Sequence, residues 1–187
     1  MKVIFLDVDG VLNSMRSFCA APKPAEYRCF EDWVYQSIDP IAVALIDRLI
    51  IENECKLVIS SSHRQTFFTG KTEPMELGDE QVWPRWEHRL DEMRAYFGKL
   101  GLKNTEAIIS CTPDIVNTIR GGEIQAWLER HPEVTHYAII DDDSDMTDEQ
   151  KESHFAHTST DDGFSFDNFR QVEAMLGKVE KPKIKLY

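Results

Sequence analysis

Apolar residues along the chain come in short blocks separated by longer amphipathic stretches, and the blocks read as alternating strands and helices. Lys2–Leu6 has the run of a strand buried on both faces. Asp39-Pro40 supplies an N-cap followed by proline at the first helical position, and the helix it opens carries Ile41, Leu45 and Leu49 on one stripe. Lys56–Ile59 is a second strand. From about Trp83 a helix places Trp86, Leu90, Met93 and Phe97 on one face, with Gly98 and Gly101 marking its end. Ala107–Ile109 is a third strand. Gly121-Gly122 leads into a helix bearing Ile124, Trp127 and Leu128, stopped at His131-Pro132. His136–Ile140 is a fourth strand, and His154–His157 a fifth and weaker one. Asp161-Asp162-Gly163 is a turn, and the last helix sets Phe169, Val172 and Leu176 inward before Gly177 closes it.

This order predicts an α/β, Rossmann-like three-layer fold: a central parallel sheet with helices on both faces. One domain over residues 1–178 accounts for it, with a lysine-rich tail at 179–187. Two less regular stretches, 14–37 and 65–82, follow strand ends and read as small lids, so the cap is minimal. In such sheets ligands sit beyond the carboxyl ends of the strands. The residues with chemistry to offer fall there: Asp7, Ser60–Ser62 and Asp141–Asp145.

At 187 residues, with 42% hydrophobic and 29% charged residues, the chain can bury a core without disulfides or a structural metal. Four scattered cysteines form no CxxC pair and read as reduced thiols. The first residues lack the features of a signal peptide and no apolar run has the length of a bilayer span, which predicts a cytoplasmic protein. A net charge of −12 disfavours broad binding to nucleic acid or an acidic membrane, though a small basic pocket for one phosphorylated end is compatible with it. The six histidines show no metal-ligand spacing and read as surface or loop residues; the tryptophans read as core or lid packing. There is no GxxxxGK[ST] loop.

Asp7-Val8-Asp9-Gly10-Val11-Leu12-Asn13 sets two carboxylates just past a buried strand. Like charges buried there need compensation, which a divalent cation supplies. Gly10 permits a sharp turn whose N–H groups can face an anion. The run lacks the third acidic ligand of an EF-hand loop. Leu57–Ile59 ends in Ser60-Ser61-Ser62-His63-Arg64, and Tyr137–Ile140 ends in Asp141-Asp142-Asp143-Ser144-Asp145. Consecutive aspartates at a strand end repel one another unless a metal joins them, and carboxylates suit a hard cation such as Mg2+.

DVDGVLN resembles the first motif of the haloacid dehalogenase (HAD) superfamily, DxDG after strand one. The resemblance implies a phosphatase in which Asp7 attacks phosphorus and Asp9 protonates the leaving oxygen, then activates water. It also implies that Ser61, or failing it Ser60, holds phosphate oxygens, and that Arg120 takes the place of the usual motif-three lysine. The magnesium site would draw on Asp7, Asp9, Asp141 and Asp142, with Asp142 the favoured direct ligand and Asp141 or Asp145 behind it. Arg64 either clamps substrate or pairs with a surface carboxylate. His63 stands where the short, nearly capless branch usually has tryptophan. That branch is associated in part with RNA-repair proteins. The expected substrate is a nucleotide or small phosphoester. The alternatives are a 3′- or 5′-phosphate end of nucleic acid and a non-catalytic metal-binding module.

Overall fold

The computed structural model describes residues 1–21, 37–64, 75–77, 80–82 and 90–177, the two three-residue pieces by their backbone alone. The helix start expected near Trp83, with Trp86, lies outside the described residues, as do the tail at 179–187 and most of the two lid stretches. Within those stretches the described pieces are a short helix, α1 (Met15–Ala20), and an antiparallel pair, β3 (Met75–Leu77) with β4 (Glu80–Val82).

The remaining strands are β1 (Lys2–Leu6), β2 (Lys56–Ile59), β5 (Ile108–Cys111), β6 (His136–Asp141) and β7 (Phe155–His157). They form one sheet in the order β5-β2-β1-β6-β7, and every pairing is parallel. Alternation along each strand divides its side chains between two cores. Ile4 and Leu6 of β1, Leu57 and Ile59 of β2, and Ala138 and Ile140 of β6 enter the larger one. Val3, Phe5, Val58 and Ile139 enter the smaller one. Helices α2 (Pro40–Asn53), α3 (Leu90–Lys99) and α6 (Phe166–Met175) supply the larger core, and α4 (Arg120–Glu129) the smaller. A further short helix, α5 (Asp148–Ser153), precedes β7. This is the three-layer Rossmann-like fold expected. Trp127 meets the ring of Phe5 edge-on at 5.4 Å, joining α4 to the middle strand.

Asp39 caps α2 as predicted, its carboxylate accepting the Ile41 N–H, but the buried stripe differs. Ile41 is 66% exposed, whereas Ala42, Val43, Ile46, Leu49 and Ile50 face the core. The helix is apolar nearly all round, so its pattern fits two stripes, and the sheet selects the one centred on Ile46. The helix expected after Gly121-Gly122 instead begins at Arg120.

The chain runs from β1 to β2 and β5 on one side, then crosses to β6 on the other side of β1. The order of connection therefore reverses between β1 and β6, a switch point whose carboxyl end is where ligands bind in such sheets. Leu6 pairs with Ile140, so Asp7 and Asp141 emerge side by side at that end.

Candidate active site

The β1 register continues one residue past the strand, where the Asp7 N–H donates to the Ile140 carbonyl at 3.0 Å. The chain then turns back on itself: the N–H groups of Val11, Leu12 and Asn13 all point at the Val8 carbonyl. Gly10 has φ +66°, a backbone that favours glycine, and any Cβ there would collide with the Asp142 carboxylate. Its N–H donates to Asn13 Oδ1, so this donor is engaged internally rather than turned toward an anion. Its carbonyl accepts the Thr158 hydroxyl. The loops after β1, β6 and β7 thus lock together around one point.

At that point carboxylate oxygens of Asp7, Asp141 and Asp142 all lie within 4.8 Å of one another. Asp7 is almost fully buried, and burial first, then the charge of Asp141, pushes its carboxyl well above the usual range. The Arg120 guanidinium and a hydrogen bond with the Ser61 side chain oppose that rise without cancelling it. Asp141 is raised to about 6, chiefly by burial, against the opposing hydrogen bond from Asp143 and the charge of Arg120. Its Oδ1 accepts the Asp143 N–H at 2.9 Å, while its buried Oδ2 has no hydrogen-bond partner among the described residues. Asp142 is steadied by the Thr160 hydroxyl on its Oδ2 and by His157 Nε2 on its carbonyl. An oxygen-only donor set with an unspent buried carboxylate oxygen fits a hard divalent cation. Asp145 is used elsewhere. Its Oδ2 accepts the Arg120 N–H and its carbonyl the Gly121 N–H, at the N-terminus of α4.

The other expected residues are distributed as follows. Arg120 directs an η-nitrogen to Asp7 Oδ1 at 3.9 Å, and that nitrogen makes no hydrogen bond among the described residues. Ser61, wholly buried, accepts the His63 N–H on its Oγ, and its side chain is among the groups that hold the Asp7 carboxyl down. Ser60 carries the β1–β2 ladder on through its N–H to Leu6, with its hydroxyl buried and unpartnered among the described residues. Arg64 matches neither expectation. It is buried, with one η-nitrogen on the Ser60 and Ser61 carbonyls and the other on Glu123 Oε2 at 2.6 Å. Glu123 is itself buried and holds the Ile115 N–H through Oε1. Arg64 therefore ties the turn after β2 to α4; its nearer carboxylate partner, Glu123, is internal, and the partly exposed Asp114 lies 3.9 Å away.

Asp9 contrasts with Asp7. Its side chain is 46% exposed, and both oxygens are held: Oδ1 by Asn13 Nδ2 at 2.7 Å, Oδ2 by His63 Nε2 at 2.8 Å. Burial would raise its carboxyl, but the hydrogen bonds from His63 and Asn13 outweigh it and hold it below the usual range. Asp9 is not among the carboxylates that converge beside Asp7. His63 corrects the reading of the histidines as surface or loop residues, because its ring is 4% exposed and packs under the site. Asn13, His63, Tyr96, Glu123 and Thr160 were not singled out for the site from sequence. Only Asn13, within DVDGVLN, and His63, within the serine motif after β2, offered a local signal.

A paired-carboxylate cluster at the switch point of a parallel sheet defines a HAD-like domain of the phosphatase type. A family model described as the HAD domain in Swiss Army Knife RNA repair proteins matches residues 3–78 and 80–169, and the chain belongs to that family. No curated protein and no solved structure matches the chain. Among the described residues no helix is long and apolar enough to cross a membrane.

Proposed function

We propose that the protein is a magnesium-dependent phosphomonoester hydrolase working through an aspartyl-phosphate on Asp7, within one domain spanning residues 1–178. The observation that carries the reading is the set of groups around Asp7: the Ser61 side chain, the Arg120 guanidinium and two further carboxylates, all at a switch point. Asp7, Asp142 and the Asp9 carbonyl would hold magnesium, with Asp141 beside them. When bound, the cation neutralises carboxylate and phosphate charge that the chain itself leaves unbalanced.

In the first step an Asp7 carboxylate oxygen bonds to phosphorus as the ester P–O bond breaks, and Asp9 gives a proton to the leaving oxygen. A phosphate group loses its second proton near pH 6, so the substrate itself can bring the proton that Asp9 passes on. In the second step water attacks the same phosphorus, Asp9 takes the water's proton, and the bond to Asp7 breaks. Ser61 and Arg120 hold the non-bridging oxygens as charge develops on them. Ser60 is the second candidate for that contact.

The family description favours a 3′- or 5′-phosphate at an RNA end as the substrate, ahead of free nucleotides and other small phosphoesters. Phosphate release from 3′- and 5′-phosphorylated oligoribonucleotides, mononucleotides and sugar phosphates tests both levels. Fastest release from an oligonucleotide end, absent in Asp7→Asn, is expected. Turnover by Asp7→Asn comparable to the wild type rejects the mechanism, and preference for mononucleotides rejects the RNA-end assignment.

A further inference from the structure

We infer that His63, backed by Tyr96, is a positioning residue that holds the Asp9 carboxylate in line for proton transfer. The inference rests on the role proposed for Asp9. That carboxylate lies on a half-exposed loop, where an unrestrained side chain would rotate freely between solvent and site. It is instead clamped from two directions. Asn13, on its own loop, takes Oδ1, and His63, on the turn after β2, takes Oδ2.

The clamp has a rigid backing. His63 Nδ1 lies 3.0 Å from the Tyr96 hydroxyl, and Tyr96 sits on α3 with its ring edge-on to Phe97 at 5.4 Å. An ionised carboxylate only accepts hydrogen bonds, so Nε2 donates to Asp9 whichever charge the ring carries. In the neutral ring Nδ1 is then the acceptor, and the Tyr96 O–H donates to it, which fixes both tautomer and ring plane. The line Tyr96–His63–Asp9 thus connects a helix of the larger core to the proton carrier. A proton carrier must lie within hydrogen-bond reach of the oxygen it serves, and small misplacements are costly.

The effect is read most clearly against leaving groups. p-Nitrophenolate departs as a stabilised anion, whereas the alkoxide of a ribonucleoside phosphate must be protonated as it leaves. For wild type, His63→Ala, His63→Gln and Tyr96→Phe, kcat/KM is measured on both kinds of ester, with thermal melts and circular dichroism to establish folding. His63→Ala is expected to lower kcat/KM on the alkyl ester about 10- to 100-fold, and on p-nitrophenyl phosphate by much less. His63→Gln, which keeps an N–H donor, recovers most of the loss, and Tyr96→Phe shows a smaller loss of the same kind. Equal losses on both esters, or a folded His63→Gln no better than a folded His63→Ala, overturn the inference. If His63→Ala does not fold, the leaving-group dependence of His63→Gln and Tyr96→Phe decides: a small loss confined to the alkyl ester supports it, and none overturns it. A wild-type protein without turnover on any ester removes the proposed function and this inference with it. Wild-type turnover that Asp7→Asn abolishes but the His63 variants leave unchanged removes the inference alone.

Discussion

At the end of β2 the protein buries a carboxylate together with its own cation; at the ends of β1 and β6 it buries two with little to balance them. Glu123 has Arg64 at 2.6 Å and the Ile115 N–H on its other oxygen. Burial still pushes its carboxyl upward, but each oxygen is satisfied from within the chain. Asp7 has one guanidinium nitrogen at 3.9 Å, and Asp141 keeps a buried oxygen without a partner among the described residues. The two places lie at the carboxyl end of the same sheet, so burial alone does not separate them. The difference is that Glu123 has a guanidinium at hydrogen-bond distance, although Arg64 Nε itself has no partner among the described residues, whereas the nearest guanidinium nitrogen to Asp7 stands 3.9 Å away. The carboxylate with its own cation does structural work; the cluster without one is where the proposed cation would bind.

Breaking the Arg64–Glu123 pair should cost the most stability. Arg64→Ala leaves Glu123 buried without its cation and is expected to lower unfolding free energy by about 3–5 kcal/mol in urea titration. A loss no larger than that of a surface substitution would erase the distinction. In the cluster around Asp7 the sign reverses. Asp141 has a folded-state pKa of about 6 against an ordinary 3.8, so its ionisation costs stability. That cost is absent below the ordinary value and grows as pH rises through about 6. In chelator, Asp141→Asn is therefore expected to stabilise the protein by on the order of 1–3 kcal/mol above that pH, and not at all near pH 3. Saturating magnesium should cancel the gain by stabilising the wild type preferentially. Gly10→Ala sharpens the comparison from the other side. A positive φ costs a non-glycine residue about 1–2 kcal/mol, and the new Cβ displaces Asp142. The magnesium-induced rise in melting temperature should shrink in that variant, whereas Arg64→Ala should retain it.

The architecture was legible because strands buried on both faces leave continuous apolar runs, and the DVDG and triple-aspartate motifs each lie within a few residues of such a run. The preference for Ser61 over Ser60 came from counting along β2; both serines are wholly buried at the strand end, and of the two only Ser61 bears on the Asp7 carboxyl. What was not legible depends on contacts distant in sequence. Arg64 and Glu123 are 59 residues apart, and His63 and Tyr96 are 33 apart, so no local spacing ties either pair together. His63 was misread as a loop residue because its motif is polar; in the fold that turn is covered by α3. The short acidic run could not distinguish Asp141 from Asp145 as the residue behind Asp142 either. The difference lies in the direction of the chain after β6, which brings Asp145 to the start of α4.

Everything proposed for the site turns on whether the uncompensated carboxylate, Asp7, takes the phosphoryl group. Acid-quenching the wild-type protein during turnover of a phosphate ester with magnesium, followed by mass spectrometry of its peptides, asks this directly. A transient, hydroxylamine-sensitive phosphoryl adduct is expected on the peptide Lys2–Asn13, localised to Asp7 and absent in Asp7→Asn. Steady turnover with no adduct, or an adduct on another residue that survives Asp7→Asn, would show that Asp7 is not the nucleophile.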